Sequence, residues 1–269
     1  MTSSLSGGPE HGARQSLAVV TGAGGGIGRA IVARLVAAGS AVAAIDHPST
    51  QPASASALEC AHADPAVYWF GCDVTDPDAV TMTVETIERR LGPIDHLVNC
   101  AGVLRVADVV EMAITDWDAM LAANCTAVFL LSKAVVQQMI PRGSGSIVTI
   151  GSNAANLGRA AMSGYAASKA AVSAFTRCLG LEVARHGIRC NVVAPGTTAT
   201  GMITALWGGA DAETGSIDGS LERFRPGIPL GRIAQPADIA EVVEFLLSDR
   251  AAHITMQELT VDGGAALGI

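Results

Sequence analysis

Charged residues are scarce, at 16% of the chain, and basic ones scarcer still, with 17 Lys and Arg against 25 Asp and Glu. The resulting formal charge of −8 excludes a surface built to neutralise phosphates, so no nucleic-acid partner is expected. Six cysteines, at 60, 72, 100, 125, 178 and 190, make no C-x-x-C pair and no regular framework. Disulfide scaffolds are thereby excluded, and the thiols are read as buried and free in a reducing cytosol. Six scattered histidines leave no expected metal site. No uninterrupted apolar run is long enough to span a bilayer, so no membrane partner is expected. The stretch 1–16, MTSSLSGGPEHGARQS, lacks the apolar core of a signal peptide and reads as a flexible leader. A cytoplasmic protein is the expectation.

Hydrophobic side chains are abundant, at 49% of 269 residues, enough to bury a large core. Short β-branched runs alternate with amphipathic stretches from residue 17 onward. The strands are read at 17–21, 41–45, 67–71, 95–99, 146–150, 188–193 and 257–261. Helical patterns fall at 27–38, 77–91, 115–140, 163–186 and 236–248. Such alternation, with near-continuous apolar strands, predicts an α/β fold. The architecture is one doubly wound parallel sheet of the Rossmann type, about seven strands with helices on both faces. Ligands of such sheets lie at the carboxyl ends of the strands. No repeat or linker divides 17–269, which reads as a single domain. One compositional break, 201–230, carries Met202, Leu206, Trp207 and Phe224 among Gly and polar residues. It reads as a lid over a substrate, the alternative being a plain surface excursion.

Gly22, Gly26 and Gly28, with Ile27 among them, follow the first strand and open the first helix. Glycines there let the backbone approach a pyrophosphate, which the helix N-terminus attracts. The spacing G-x-x-x-G-x-G departs from the commoner G-x-G-x-x-G. Asp46 ends the second strand, where a carboxylate accepts bonds from ribose hydroxyls and repels a 2′-phosphate, so NAD is expected over NADP. Asp73, with Val74, follows the third strand and could meet an adenine, or else cap the next helix. Asn99, Ala101 and Gly102 let the chain pass close beneath a dinucleotide. Pro195, Gly196 and Thr198 stand where a nicotinamide carboxamide would be gripped.

Tyr165 and Lys169, four apart, share one helix face, with Ser152 thirteen residues upstream. An ammonium beside a phenol favours phenolate, suited to taking a proton from an alcohol whose oxygen a serine holds. On its own such a pair is more often a solvated helix face.

Together these residues resemble the short-chain dehydrogenase/reductase family over 17–264: TGAGGGIG at 21–28, Asp46, NCAG at 99–102, Asn124, Ser152, Tyr165-x-x-x-Lys169, PG at 195–196 and VDGG at 261–264. The resemblance implies that Tyr165 is the catalytic base and that Ser152 positions the reacting hydroxyl. It implies that Lys169 lowers the tyrosine pKa and, with Tyr165, meets the nicotinamide ribose, that Asn124 holds a water linking Lys169 to solvent, and that the protein is a homotetramer. The stretches 104–140 and 163–186, apolar on more than one face, agree with association.

Within the family, AGVLR (101–105), RAAMSGYAASKAA (159–171) and GIPLGRIA (227–234) resemble the dehydrogenases that aromatise a carboxylated cyclohexadiene diol in catechol-siderophore biosynthesis. Arg105 and Arg159 then read as carboxylate partners, or else as ordinary surface arginines, and Met162, Met202 and Trp207 as contacts for the flat ring. The segment Ser152-Asn153-Ala154-Ala155-Asn156 departs from the S-D-A-A-H of those enzymes. That departure keeps open a substrate with an amino group beside the carboxylate, trans-2,3-dihydro-3-hydroxyanthranilate. Another short-chain alcohol dehydrogenase or ketoreductase, and a non-catalytic NAD-binding protein, are the remaining readings.

Overall fold

The computed structural model describes residues 14–50, 66–202 and 212–268. Seven strands form one sheet: β1 (Leu17–Thr21), β2 (Ala41–Asp46), β3 (Val67–Gly71), β4 (His96–Asn99), β5 (Gly145–Ile150), β6 (Ile188–Pro195) and β7 (Glu258–Val261). They lie in the order β3-β2-β1-β4-β5-β6-β7, and every neighbouring pair is parallel. The strand order reverses between β1 and β4, the place where doubly wound sheets open a crevice.

Helices α1 (Gly26–Ala37), α2 (Pro77–Leu91), α3 (Ile114–Leu121), α4 (Ala127–Met139), α5 (Ser163–Val183), α6 (Ala212–Asp218) and α7 (Pro236–Leu247) complete the framework. Strand residues alternate between two cores, as a pleated backbone requires. Ala18, Val20, Val42 and Val98 face Ile31 and Leu35 of α1 and Ile239 and Val243 of α7. Leu17, Val19, Ala43 and Leu97 face Val84 of α2, Leu131 and Val135 of α4 and Leu179 of α5. Burial on both faces explains why these strands read as continuous apolar runs.

Helix starts differ in a way that matters for the site. Asp76 caps α2, its carboxylate accepting from the amides of Asp78 at 2.9 Å and Ala79 at 3.1 Å, and Pro77 fixes the first turn. Asp73 therefore does not cap this helix. By contrast α1 begins on Gly25 with no side-chain cap, so its first amides remain open to an anion.

The apolar stretch 104–140 is helical only from Ile114. Just before it, the Asn124 side chain accepts from the Val103 amide at 2.7 Å and donates to the Val103 carbonyl at 2.9 Å, tying that part of the chain to the helical segment. Asn124 lies in a π turn, Ala122–Thr126, that joins α3 to α4. The run Ile114–Arg142 is long and apolar enough to cross a membrane by composition alone, contrary to the sequence reading. Here it is a core element, with Leu131, Val135 and Met139 buried against the sheet. In the stretch read as a leader, Arg14 binds Asp95 at 2.6 Å and Ser16 meets Ser40 at 2.8 Å. Its earlier residues, 1–13, lie outside the described residues.

Candidate active site

A cleft of about 770 Å³ opens at the carboxyl ends of β1, β4, β5 and β6. Its floor is the glycine turn. Gly22 takes φ +64°, and a Cβ there would stand 2.7 Å from the Ala101 Cα, so β1 and β4 can cross only over a glycine. A Cβ on Gly28 would sit 2.0 Å from the Gly22 carbonyl oxygen. Gly26 and Ile27 line the cleft beside the uncapped start of α1. Thr21, which the sequence reading passed over, locks the crossing: its hydroxyl accepts from the amides of Cys100 at 3.0 Å and Ala101 at 3.1 Å.

One wall is acidic. The Asp46 carboxylate accepts from the Gly24 amide at 2.7 Å, the His47 amide at 2.8 Å and the Thr50 hydroxyl at 2.7 Å. These bonds fix its orientation in the cleft. Thr50 is a further residue that the strand-end rule could not supply. Asp73 and Val74 line the same end, and the Thr75 hydroxyl and amide, both bonded to Asp73, hold its carboxyl below the usual range.

The structure brings Ser152, Tyr165 and Lys169 into the cleft from two elements, the end of β5 and the first turns of α5. Ser152 and Tyr165 line the cleft together, and Ser152 acts to lower the phenol pKa. The Lys169 ammonium lies 5.8 Å from the centre of the Tyr165 ring and donates to the Ile150 carbonyl at 2.8 Å. Burial pushes the Lys169 pKa down to about 8. Burial also raises the Tyr165 pKa, with Ser152 and Arg159 opposing it. The sequence expectation was a lowered phenol. Among the protein's own groups, the desolvation of a buried ring outweighs Ser152 and the Arg159 cation. Asn124 sits behind this group, donating to the Ser168 hydroxyl at 2.9 Å, and a Cβ on Gly102 would stand 2.9 Å from its Oδ1. Asn99 lies beneath the floor rather than on it, bonded to the Ser132 hydroxyl at 3.1 Å.

Opposite, the end of β6 supplies Pro195, Gly196 and Thr198 to the cleft wall. Apolar contact comes from Met162 and Leu104, which pack with Ala154 and Tyr165, and from Met202 at the rim. Arg159 lines this part of the cleft, and its Nε is buried with no hydrogen-bond partner among the described residues. Arg105 is not brought in: half-exposed, it pairs with Asp116 at 3.4 Å outside the cleft wall. The second arginine lining the cleft is instead Arg225, from the arm that returns after α6. No local pattern flagged it, because a tertiary return of the chain places it. Phe224, expected on the inside of the lid, is 92% exposed. It lies in the turn closed by the Ser220–Arg225 bridge, at φ +52°. Trp207 and Leu206 lie outside the described residues.

Uncapped helix amides, a fixed carboxylate and a serine–tyrosine–lysine group in one apolar cleft can bind a dinucleotide and move a proton from an alcohol. Residues 22–266 match the family described as Enoyl-(Acyl carrier protein) reductase. The chain belongs to the short-chain dehydrogenase/reductase family. Among relatives of this short-chain dehydrogenase, 2,3-dihydro-2,3-dihydroxybenzoate dehydrogenase of Bacillus subtilis (strain 168) is 46% identical, over 96% of this chain and 98% of its own. The protein of the same description in Escherichia coli (strain K12) is 41% identical, over 93% of this chain and 96% of its own. Among solved structures, ligand-free aldohexose dehydrogenase of Thermoplasma acidophilum superposes with a TM-score of 0.81 at 32% identity, covering 94% of this chain and 95% of that one. The chain is thus a short-chain oxidoreductase that uses a nicotinamide cofactor and acts on a small molecule.

Proposed function

We propose that this short-chain dehydrogenase oxidises 2,3-dihydro-2,3-dihydroxybenzoate to 2,3-dihydroxybenzoate with NAD, in siderophore or related secondary metabolism. The observation that carries the reading is Arg159: a guanidinium whose buried Nε has no hydrogen-bond partner among the described residues, in the same cleft as Ser152 and Tyr165. A planar donor fork in an apolar pocket suits a ring carboxylate. The two dehydrogenases of that description, at 46% and 41% identity, support it.

Gly22, Gly26, Ile27, Gly28 and the open start of α1 would hold the diphosphate of NAD. Asp46 would hold the adenosine ribose, Asp73 and Val74 the adenine, and Ala101 and Gly102 would lie beneath. Lys169 and Tyr165 would meet the other ribose, with Pro195, Gly196 and Thr198 at the carboxamide. Asp46 supports NAD over NADP, because a fixed carboxylate repels a 2′-phosphate. Bound in that cradle, NAD would supply the acceptor for the hydride that leaves the carbinol carbon.

Ser152 orients the ring hydroxyl, and Tyr165 as phenolate takes its proton. Burial raises the phenol pKa, Ser152 and Arg159 oppose that rise, and the Lys169 ammonium, 5.8 Å from the ring centre, would favour the phenolate. Asn124 keeps Val103 and Ser168 in place, and a water beside it would carry the proton from Lys169 to solvent. Met162 and Met202 pack on the ring, and aromatisation of the product draws the oxidation forward.

We take the working form to be a cytoplasmic homotetramer. The exposed apolar side chains of Val109, Val110 and Leu181 support association.

The test is direct. The enzyme and NAD are incubated with the dihydroxy acid and, separately, with the amino analogue, and NADH and the aromatic product are followed together. Turnover of the dihydroxy acid at a clearly higher kcat/KM supports the reading, and faster turnover of the amino compound replaces it with the second substrate. Asn156, one of the two departures behind that second reading, is occupied by Glu258 at 2.9 Å.

A further inference from the structure

The lysine and arginine side chains lining the described cleft are Lys169, Arg159 and Arg225. Two of them have duties within the fold. Lys169 donates to the Ile150 carbonyl at 2.8 Å and lies over the Tyr165 ring. Arg159 feels the Asp262 carboxylate, so part of its charge is answered from inside the protein. A ring carboxylate beside Arg159 therefore meets less than a full positive charge, and a second cation would restore it.

Arg225 is mounted to be that cation. Its amide and its carbonyl both bond Ser220, at 2.9 Å each, which closes a tight turn. Glycines flank the turn: Gly219 at φ +76° and Gly227 at φ +85°. A Cβ on Gly219 would stand 2.3 Å from the Arg225 carbonyl oxygen, and one on Gly227 2.4 Å from the Ile217 carbonyl oxygen. So close a return needs glycine at both places. The arm is then tied down, with the Ile228 amide donating to the Ile217 carbonyl at 2.9 Å and Ile228 packed with Ile233 and Ala265. Its root is near Arg159, because a Cβ on Gly263, the neighbour of Asp262, would lie 2.7 Å from Ile228 Cγ2. Among the described residues of 212–228, Arg225 alone lines the cleft, and it is half-buried there.

We propose that Arg225 is a second carboxylate-recognising residue, which joins Arg159 in selecting a ring acid over a neutral ring of the same shape. At a half-buried position the charge matters more than the planar fork, so lysine should serve there nearly as well. This deepens the proposed function and rests on its reading of the substrate as a ring carboxylate. The other anion such a cleft would hold is the cofactor diphosphate, and the experiment separates the two.

Three isothermal titrations on the full chain test it: NAD alone, then 2,3-dihydroxybenzoate and its neutral counterpart catechol, each with NAD present. Arg225→Met keeps an apolar stem and removes the charge, while the Ser220 bridge, made by backbone atoms, stays. It is expected to weaken 2,3-dihydroxybenzoate about tenfold and to leave catechol and NAD within about twofold. Arg225→Lys should bind the acid within about threefold of wild type. In turnover the methionine variant should raise KM for the carboxylated diol more than it lowers kcat. Should Arg225→Met fail to fold, judged by its thermal melt, Arg225→Gln removes the charge while keeping a polar side chain, and the same losses are expected. Equal weakening of both aromatic probes, or of neither, would overturn the proposal, as would a lysine variant as weak as the methionine one. A loss confined to NAD would also overturn it and assign Arg225 to the diphosphate. A wild type that binds 2,3-dihydroxybenzoate with an Arg225-dependent preference yet does not oxidise the dihydrodiol would instead sink the proposed reaction and leave this inference standing.

Discussion

Replacing Lys169 by Met should inactivate the enzyme and, near neutral pH, leave the fold at least as stable as before. Lys169 is 5% exposed, and its pKa falls from 10.5 to about 8 through burial. That difference corresponds to a charging cost of about 3 kcal/mol. Below about pH 8 the lysine is charged in both folded and unfolded chains, so the cost is fully present. As pH rises from about 8 to 10.5 the folded chain releases its proton first, the unfolded chain binds more, and stability rises. Met has a similar length and no charge, so it removes this pH dependence. It also strips the Ile150 carbonyl of its donor, at a cost of roughly 1–3 kcal/mol. The two effects leave the variant between unchanged and about 2 kcal/mol more stable at pH 7. The assay is urea unfolding of wild type and Lys169→Met at pH 7, 8, 9 and 10. The stability difference between them should shift by about 2.5 kcal/mol toward the wild type across that range. A difference that stays constant with pH would refute the reasoning, because it would mean that the buried ammonium carries no desolvation cost.

Two further substitutions probe the cofactor wall. Gly28→Ala drives a methyl group to 2.0 Å from the Gly22 carbonyl oxygen, so the turn must shift. A loss of about 2 kcal/mol in stability, together with weaker NAD binding by fluorescence titration, is expected, and an unchanged NAD affinity would contradict the fit of this turn. Asp46→Ala removes the ribose acceptor and the charge that repels a 2′-phosphate. The ratio of kcat/KM for NAD over that for NADP should fall at least about tenfold, and a ratio that does not move would show that Asp46 does not discriminate.

Much of the scaffold was legible because its signals are local. Strands buried on both faces must be continuously apolar, which is why the spans read at 17–21 and 67–71 coincide with β1 and β3. The glycines at 22 and 28 are demanded by contacts a few residues away or across one strand crossing, and their spacing carries that information. The substrate end was less legible. Arg105 and Arg159 looked alike as loop arginines near strand ends, yet Asp116 on the next helix draws Arg105 away. Arg225 reaches the cleft only because the chain returns after α6, a tertiary event with no sequence period. The direction of the Tyr165 pKa was misjudged for a related reason: the i, i+4 spacing reveals the lysine, whereas the depth of burial that opposes it belongs to the folded molecule. Asn153 was visible as a departure from the resembled pattern, but one of its two partners, Asp262 after β7, comes from more than a hundred residues away.

The central claim is that Tyr165 takes the proton from a ring alcohol held in this cleft. It is tested most directly by following NADH formation from NAD and 2,3-dihydro-2,3-dihydroxybenzoate with wild type and Tyr165→Phe side by side, NAD binding being measured on both. The account predicts rapid aromatisation by the wild type, and a variant that still binds NAD but has lost at least about a hundredfold in kcat. A phenylalanine variant that turns over at the wild-type rate would contradict it.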